Sequence, residues 1–135
     1  MPSNIPTDQP NVPTDKTQGQ VEAAITTALT QFERDHLGRG PKAARSFIIE
    51  DMVVVRLEGI LSPAEQQLSE EADGVELIKQ MRTRLIEGAS TQLCALITSE
   101  TGVSVTTMHA DISTRTGQRI FVFELASDLE ALLRS

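Results

Sequence analysis

The spacing of apolar residues along the chain predicts where its helices and strands lie. Between residues 21 and 32 apolar side chains recur every three or four positions, which predicts an amphipathic helix that ends before Gly38. The segments 45–50 and 52–58 are rich in β-branched residues and predict two strands with a turn at Glu50-Asp51. Three consecutive valines in the second strand leave open which of its faces is buried.

The middle of the chain predicts two further helices. Ser62 followed by proline and by Glu65 has the spacing of a capping box, which predicts the start of a short helix. A longer helix is predicted over about 75–98, with Gly88 inside it. Its apolar stripe comprises Ile78, Met81, Leu85, Ala89, Leu93 and Ile97.

The last third of the chain predicts a second hairpin and a short terminal helix. The strands cover 103–112 and 119–125, their turn lies at 114–117, and the helix opens at Ser127. The predicted order is therefore α-β-β-α-α-β-β-α. Two hairpins separated by helices favour an α+β fold of two layers, an antiparallel sheet with helices packed on one face.

Composition and charge limit the domain organisation and the classes of partner. Residues 1–18 are rich in proline and poor in large aliphatic residues, so we expect a mobile leader followed by a single domain over 19–135. The formal net charge of −7 disfavours nucleic-acid binding. No segment approaches the length of apolar sequence that spans a bilayer. We therefore expect a soluble cytoplasmic protein that binds neither nucleic acid nor membrane directly.

A group of cations follows the first helix, with Arg39, Gly40 and Lys42 close together and Arg45 just beyond. Gly38 and Gly40 free the backbone amides to turn toward an anion, so the Gly38–Lys42 loop is a candidate site for a small anion or a nucleotide. The loop is not a P-loop, because the Lys-Ser/Thr ending and the following helix are missing. The other interpretations are a helix stop with solvated charges and a docking patch for an acidic partner.

A second candidate site lies on the third predicted strand. Thr107, His109 and Asp111 alternate along the strand and so share one face, and the predicted pairing places Thr107 opposite Glu124 and His109 opposite Val122. A histidine beside carboxylates suits a general base or a metal ligand. Structural hydrogen bonding and contact with a partner or ligand are the alternatives, and we favour the structural one because this region contains a single histidine.

Two more features complete the candidates. Arg56 and Glu58 share a face of the second strand and can pair with each other or bind a partner. The single cysteine, Cys94, lies beside the apolar stripe of the long predicted helix, where a thiol is inert. We expect no catalytic residue, no metal site and no cofactor.

Three runs in this order and spacing resemble the MpsC family: Gly38–Lys42, Met52–Glu65 and His109–Gly117. The resemblance covers about residues 20–125. It implies a connection with a sodium-translocating system that generates a membrane potential. By family association, it also implies an antiporter-like membrane subunit and a large cytosolic subunit resembling β-type carbonic anhydrases as partners, both linked to inorganic-carbon uptake.

The leading hypothesis is a non-catalytic, cytoplasmic accessory or regulatory protein of a membrane system that translocates a cation or bicarbonate. One alternative is a sensor of small anions or nucleotides that uses the Gly38–Lys42 loop. The other is a small enzyme centred on His109 and Asp111. Because two hairpins leave exposed strand edges, we also expect a homodimer.

Overall fold

The computed structural model describes residues 9–134, and the amphipathic segments of that range fold into helices and strands that alternate as the sequence predicts. In chain order they are α1 (Gln18–Leu37), β1 (Ala43–Ile49), β2 (Met52–Glu58), α2 (Pro63–Leu68), α3 (Ala72–Gly88), α4 (Ser90–Thr101), β3 (Val105–Ser113), β4 (Gln118–Leu125) and α5 (Leu129–Arg134).

Two capping boxes fix where helices begin. The hydroxyl of Thr17 accepts a hydrogen bond from the backbone N–H of Gln20 (3.2 Å), and the Gln20 side chain accepts one from the N–H of Thr17 (2.9 Å). Ser62 and Glu65 make the same reciprocal pair at the start of α2, at 3.1 and 2.9 Å. Each box satisfies two N–H groups that the first turn of a helix would otherwise leave without partners.

The four strands form one antiparallel sheet in the order β1-β2-β4-β3. The predicted register of the second hairpin is confirmed, with His109 opposite Val122 and Thr107 opposite Glu124. A bulge between Val105 and Thr107 interrupts the pairing at the start of β3. Strands β2 and β4 join the two hairpins, so the central pair of the sheet comes from the two halves of the chain.

The helices cover one face of this sheet, and the core lies between the two layers. Alternate residues of β2 and β4 are buried there against α1 and α4. The predicted two-layer α+β fold is confirmed. The largest apolar side chains that are fully buried are Phe121, Phe123, Ile25, Leu29, Leu57, Ile78, Leu93, Ile97, Leu129 and Val21.

The prediction of one continuous helix over 75–98 is wrong. The chain leaves helical geometry at Ala89 (φ −106°, ψ 9°), so α3 ends at Gly88 and α4 begins at Ser90. Glycine is a poor helix former, and a break beside it lets two shorter amphipathic helices each bury their own apolar face.

The predicted buried stripe is also wrong within α3. Met81 and Leu85 are 47% and 44% exposed, whereas Ile78, Arg82 and Ile86 form the buried row. An apolar pattern assigns charged residues to solvent, so it does not predict that an arginine lies in the middle of the buried row. Leu77 extends the outward-facing row of Met81 and Leu85, so α3 presents an apolar stripe to solvent.

Part of the predicted leader contacts the domain. Residues 1–8 lie outside the described residues. Further along, the backbone N–H of Asn11 donates to the carbonyl of Gly102 (2.6 Å), and Val12 packs against the core. Gly102 has a φ of +74°, and a Cβ there would overlap the backbone of Asn11, so glycine is required for both reasons. The mobility of the leader stays a prediction.

None of the helices within residues 9–134 combines the length and the apolar character that a membrane span requires.

The position of α3 gives a direct test in two neighbouring residues. We expect Ile86→Ala to lower the free energy of unfolding by about 2–5 kcal/mol, because it opens a cavity in the core. Leu85→Ala should cost less than about 1 kcal/mol, because its side chain is largely in solvent. Urea unfolding followed by circular dichroism measures both. A larger loss for Leu85→Ala would show that Leu85 is buried in the core, as the predicted stripe requires.

Candidate functional site

The face of the sheet opposite the helices carries most of the candidate residues. We call it the open face, because no helix of residues 9–134 packs on it and its side chains are exposed or half-buried. The open face includes Arg45, Phe47, Val54, Arg56, Glu58, Thr107, His109, Asp111, Ile120, Val122 and Glu124, together with Ala43, Ile49 and Met52.

An apolar row crosses the middle of the open face. Phe47 lies opposite Val54, and Val54 lies opposite Val122 on the other central strand. All three are half-buried by their neighbours within the sheet. The row ends at His109 on the edge strand β3. Apolar side chains at the centre of an uncovered face are typical of a surface that binds another protein.

Two arginines lie side by side next to this row. Arg45 on β1 is directly opposite Arg56 on β2, a pairing of like charges that destabilises a sheet. The Arg45 guanidinium lies over the ring of Phe47, 5.0 Å from its centroid, and Arg56 lies 3.6 Å from the carboxylate of Glu58. One carboxylate for two arginines leaves this end of the open face basic.

The opposite end of the open face is acidic. The Nε2 of His109 is 2.6 Å from a carboxylate oxygen of Glu124, and both side chains are largely exposed. Asp111 lies two residues further along the same face, and its Oδ1 accepts a hydrogen bond from the backbone N–H of Ile112 at 2.9 Å. His109 is therefore engaged in a surface pair, which contributes at most about 1 kcal/mol to stability.

The cations of the Gly38–Lys42 loop and Arg45 contact different parts of the protein. Arg39 lines a cleft beside α3, while the stem of Lys42 packs over Gly59. Gly40 lies against the guanidinium of Arg34. Arg45 belongs to the open face. The three predicted anion-binding cations thus have different neighbours, and the anion site of this loop stays a prediction.

A buried ion pair that the sequence analysis missed joins α2 to α3. Arg82 is 3% exposed, and its Nε and Nη2 donate to the two carboxylate oxygens of Glu65 at 2.9 and 2.8 Å. Nη2 also donates to the carbonyl of Ile60 (3.1 Å). Burial opposes ionisation of Glu65, but hydrogen bonds from Arg82 and Ser62 more than offset it, and the pKa of Glu65 is lowered.

Two more charged side chains are buried near this pair. Glu33 of α1 and Arg119 of β4 are 1% and 2% exposed. Burial raises the pKa of Glu33, and the charges of Arg119 and Arg82 offset this only in part. We call Glu33, Glu65, Arg82 and Arg119 the buried charge cluster.

The single cysteine and the possible metal ligands are the other groups with reactive chemistry in the described part of the chain. Burial raises the pKa of the Cys94 thiol, which disfavours the nucleophilic thiolate. Within residues 9–134 no group of three or more His, Cys, Asp or Glu side chains is placed to hold a metal ion.

Comparison with known proteins identifies the family. Residues 17–127 match the family model described as the Na+-translocating membrane potential-generating system, MpsC. The chain belongs to the MpsC family. It is 42% identical over 115 residues to the uncharacterized protein YbcI of Bacillus subtilis (strain 168), a match that covers 85% of this chain and 93% of that protein. No solved structure matches the chain.

The family motifs map onto distinct parts of this structure. The run 52–65 spans β2 and the start of α2, and it contributes both Arg56 of the open face and Glu65 of the buried charge cluster. The run 109–117 ends at the turn before β4, which carries Arg119. In Glu65 the sequence analysis recognised a cap, but nothing in the local pattern marks it as the partner of Arg82.

The charge of Glu65 can be tested separately from its capping role. Glu65→Gln keeps a residue that completes the capping box but leaves Arg82 buried without a counter-charge. We expect a loss of about 3–5 kcal/mol at pH 7. Because the pKa of Glu65 is lowered by folding, its contribution is complete above the ordinary glutamate value of about 4.3. The contribution is lost as the pH falls through the lowered pKa.

Urea unfolding of the wild type and of Glu65→Gln at pH 7 and pH 3 therefore provides the test. The difference between the two proteins should be large at pH 7 and much smaller at pH 3. An equal difference at both pH values would show that the loss comes from packing rather than from charge.

The exposed histidine should matter little for folding. We expect His109→Ala to lower the free energy of unfolding by less than about 1 kcal/mol, because its pair with Glu124 is on the surface. Thermal unfolding followed by circular dichroism measures it. A loss above about 2 kcal/mol would show that the pair is structural.

Proposed function

We propose that the protein is a non-catalytic accessory protein of a Na+-translocating system that generates a membrane potential, and that it acts by binding another protein of that system. Membership of the MpsC family supports the connection with the system. The open face supports the mode of action, because it offers an uncovered apolar row bordered by charges. In this proposal the protein works in the cytoplasm and reaches the membrane through its partner.

The chemistry of the open face indicates what the partner segment contains. Arg45 and Arg56 lie side by side with one carboxylate, Glu58, near them. An acidic side chain placed over both arginines would relieve their repulsion, and apolar side chains would cover Phe47 and Val54. The proposed occupant is therefore an apolar segment with acidic residues that belongs to the antiporter-like membrane subunit.

Charge reversal at the basic end of the open face tests this proposal. We expect the double variant Arg45→Glu, Arg56→Glu to fold normally, because Arg45 and Arg56 are largely exposed. It should lose at least about tenfold in binding to membranes that contain the Na+-translocating subunits, because an acidic partner segment would then be repelled. The matched control is Arg84→Glu, Arg115→Glu, which changes the net charge equally at exposed positions of α3 and of the second hairpin turn.

Co-sedimentation with native membranes, with identification of the cross-linked partner, measures the binding. Sodium-driven membrane potential in vesicles from cells carrying each variant measures the function. We expect the open-face variant to reduce both and the control variant to reduce neither. Equal binding by the two variants would contradict the proposal. So would a concentration-dependent dimer that only the open-face variant disrupts, since it would assign this face to a second copy.

A further inference from the structure

The buried charge cluster contains more hydrogen-bond donors than acceptors. Among the described residues, four buried polar atoms of the cluster lack a partner: Nη1 of Arg82, Nε and Nη2 of Arg119, and Oε2 of Glu33. The atoms without partners are thus three donor nitrogens and one carboxylate oxygen. A buried donor without an acceptor is costly, and native proteins rarely contain several in one place. The group that would complete this cluster is therefore an acceptor.

The charges of the cluster favour a negative acceptor. The carboxylate of Glu65 already accepts hydrogen bonds from Arg82 and from the backbone N–H of Ser62. Glu33 is the remaining acid, and it interacts electrostatically with both arginines. Burial favours its neutral form. The cluster thus has three guanidinium nitrogens and one carboxylate oxygen without partners, and an oxyanion would supply the acceptors that these nitrogens lack.

A cleft leads from solvent to the Arg82 side of the cluster. It has a volume of about 300 Å³ and lies between the end of α1, the start of α2 and α3. Its polar lining consists of His36, Arg39, Ser62, Glu65 and Arg82. Arg39 forms no ion pair with any residue in the described range 9–134. This entrance is basic in a protein whose overall charge is negative.

A second cleft, of about 320 Å³, reaches Arg119 from the other side of α3. Its lining includes Glu87 and Asp111 as well as His109 and Thr83. This entrance has two acidic residues beside Arg119, whereas the cleft beside Arg39 has one, Glu65, which is already paired with Arg82. The electrostatics therefore favour the cleft beside Arg39.

We propose that the cleft between α1 and α3 is a binding site for a small oxyanion of the size of phosphate or sulfate, which Arg39 and Arg82 hold together. Both residues line this cleft, and Arg82 has a buried nitrogen without a partner while Arg39 has no ion pair within residues 9–134. A guanidinium presents its N–H groups in a fork that matches the oxygen atoms of such an anion. This site contains none of the open-face residues. Its test is therefore independent of the test of the proposed partner surface.

Thermal unfolding tests the site with simple ions. The chain lacks Trp and Tyr, so unfolding is followed by circular dichroism. We expect sodium phosphate and sodium sulfate to raise the Tm saturably, by roughly 5 °C or more at about 100 times the Kd, relative to sodium chloride at equal ionic strength. Arg39→Ala should weaken phosphate binding at least about tenfold without changing the Tm in chloride. Arg115→Ala, which removes an exposed arginine of the second hairpin turn, should bind phosphate as the wild type does.

Isothermal titration calorimetry on the folded proteins gives the phosphate affinities directly and independently of any change in stability. The proposal is wrong if phosphate and sulfate raise the Tm of the wild type no more than chloride does at equal ionic strength. It is equally overturned by an unchanged phosphate affinity in Arg39→Ala. A high-resolution crystal structure grown in phosphate that shows only water at Nη1 of Arg82 would also contradict it.

Discussion

The position of helix α3 depends on the buried ion pair between Arg82 and Glu65. The guanidinium of Arg82 lies on the core side of α3, between the apolar side chains of Ile78 and Ile86. It is held by a carboxylate that also closes the capping box of α2. Breaking such a pair leaves a charge buried without compensation. The rotation of α3, and with it the outward direction of its apolar stripe, follows from where this charge is satisfied.

The sequence predicted the features that depend on neighbouring residues. Alternation along β3 and β4, together with a tight turn ending in Gly117 at φ +70°, was enough to predict the register of the second hairpin. The capping boxes were predictable because their partners are three residues apart. The rotation of α3 was not predictable in this way, since Arg82 and Glu65 are 17 residues apart and a periodic pattern assigns an arginine to solvent.

The candidate sites also divide into features set by neighbouring residues, which were predictable, and features set by residues far apart in the chain, which were not. Arg45, Arg56, Glu58, His109 and Asp111 were candidates for separate reasons, and the sheet places all five on the open face. Strand alternation predicts the face within each hairpin, but it does not predict that β2 pairs with β4. The buried charge cluster draws Glu33, Glu65, Arg82 and Arg119 from α1, α2, α3 and β4, and no local motif connects them. Its one sequence signal was Arg119 on the otherwise apolar face of the second hairpin.

A double-mutant cycle on Glu65 and Arg82 tests the central claim that their pairing holds α3 in place. The four proteins are the wild type, Glu65→Gln, Arg82→Met and the double variant, and the free energy of unfolding is measured for each at pH 7. We expect the double variant to be destabilised by at least about 2 kcal/mol less than the sum of the single losses, because removing both charges leaves neither buried alone. Single losses that add to within about 0.5 kcal/mol would show that the two residues act independently, and would contradict this account.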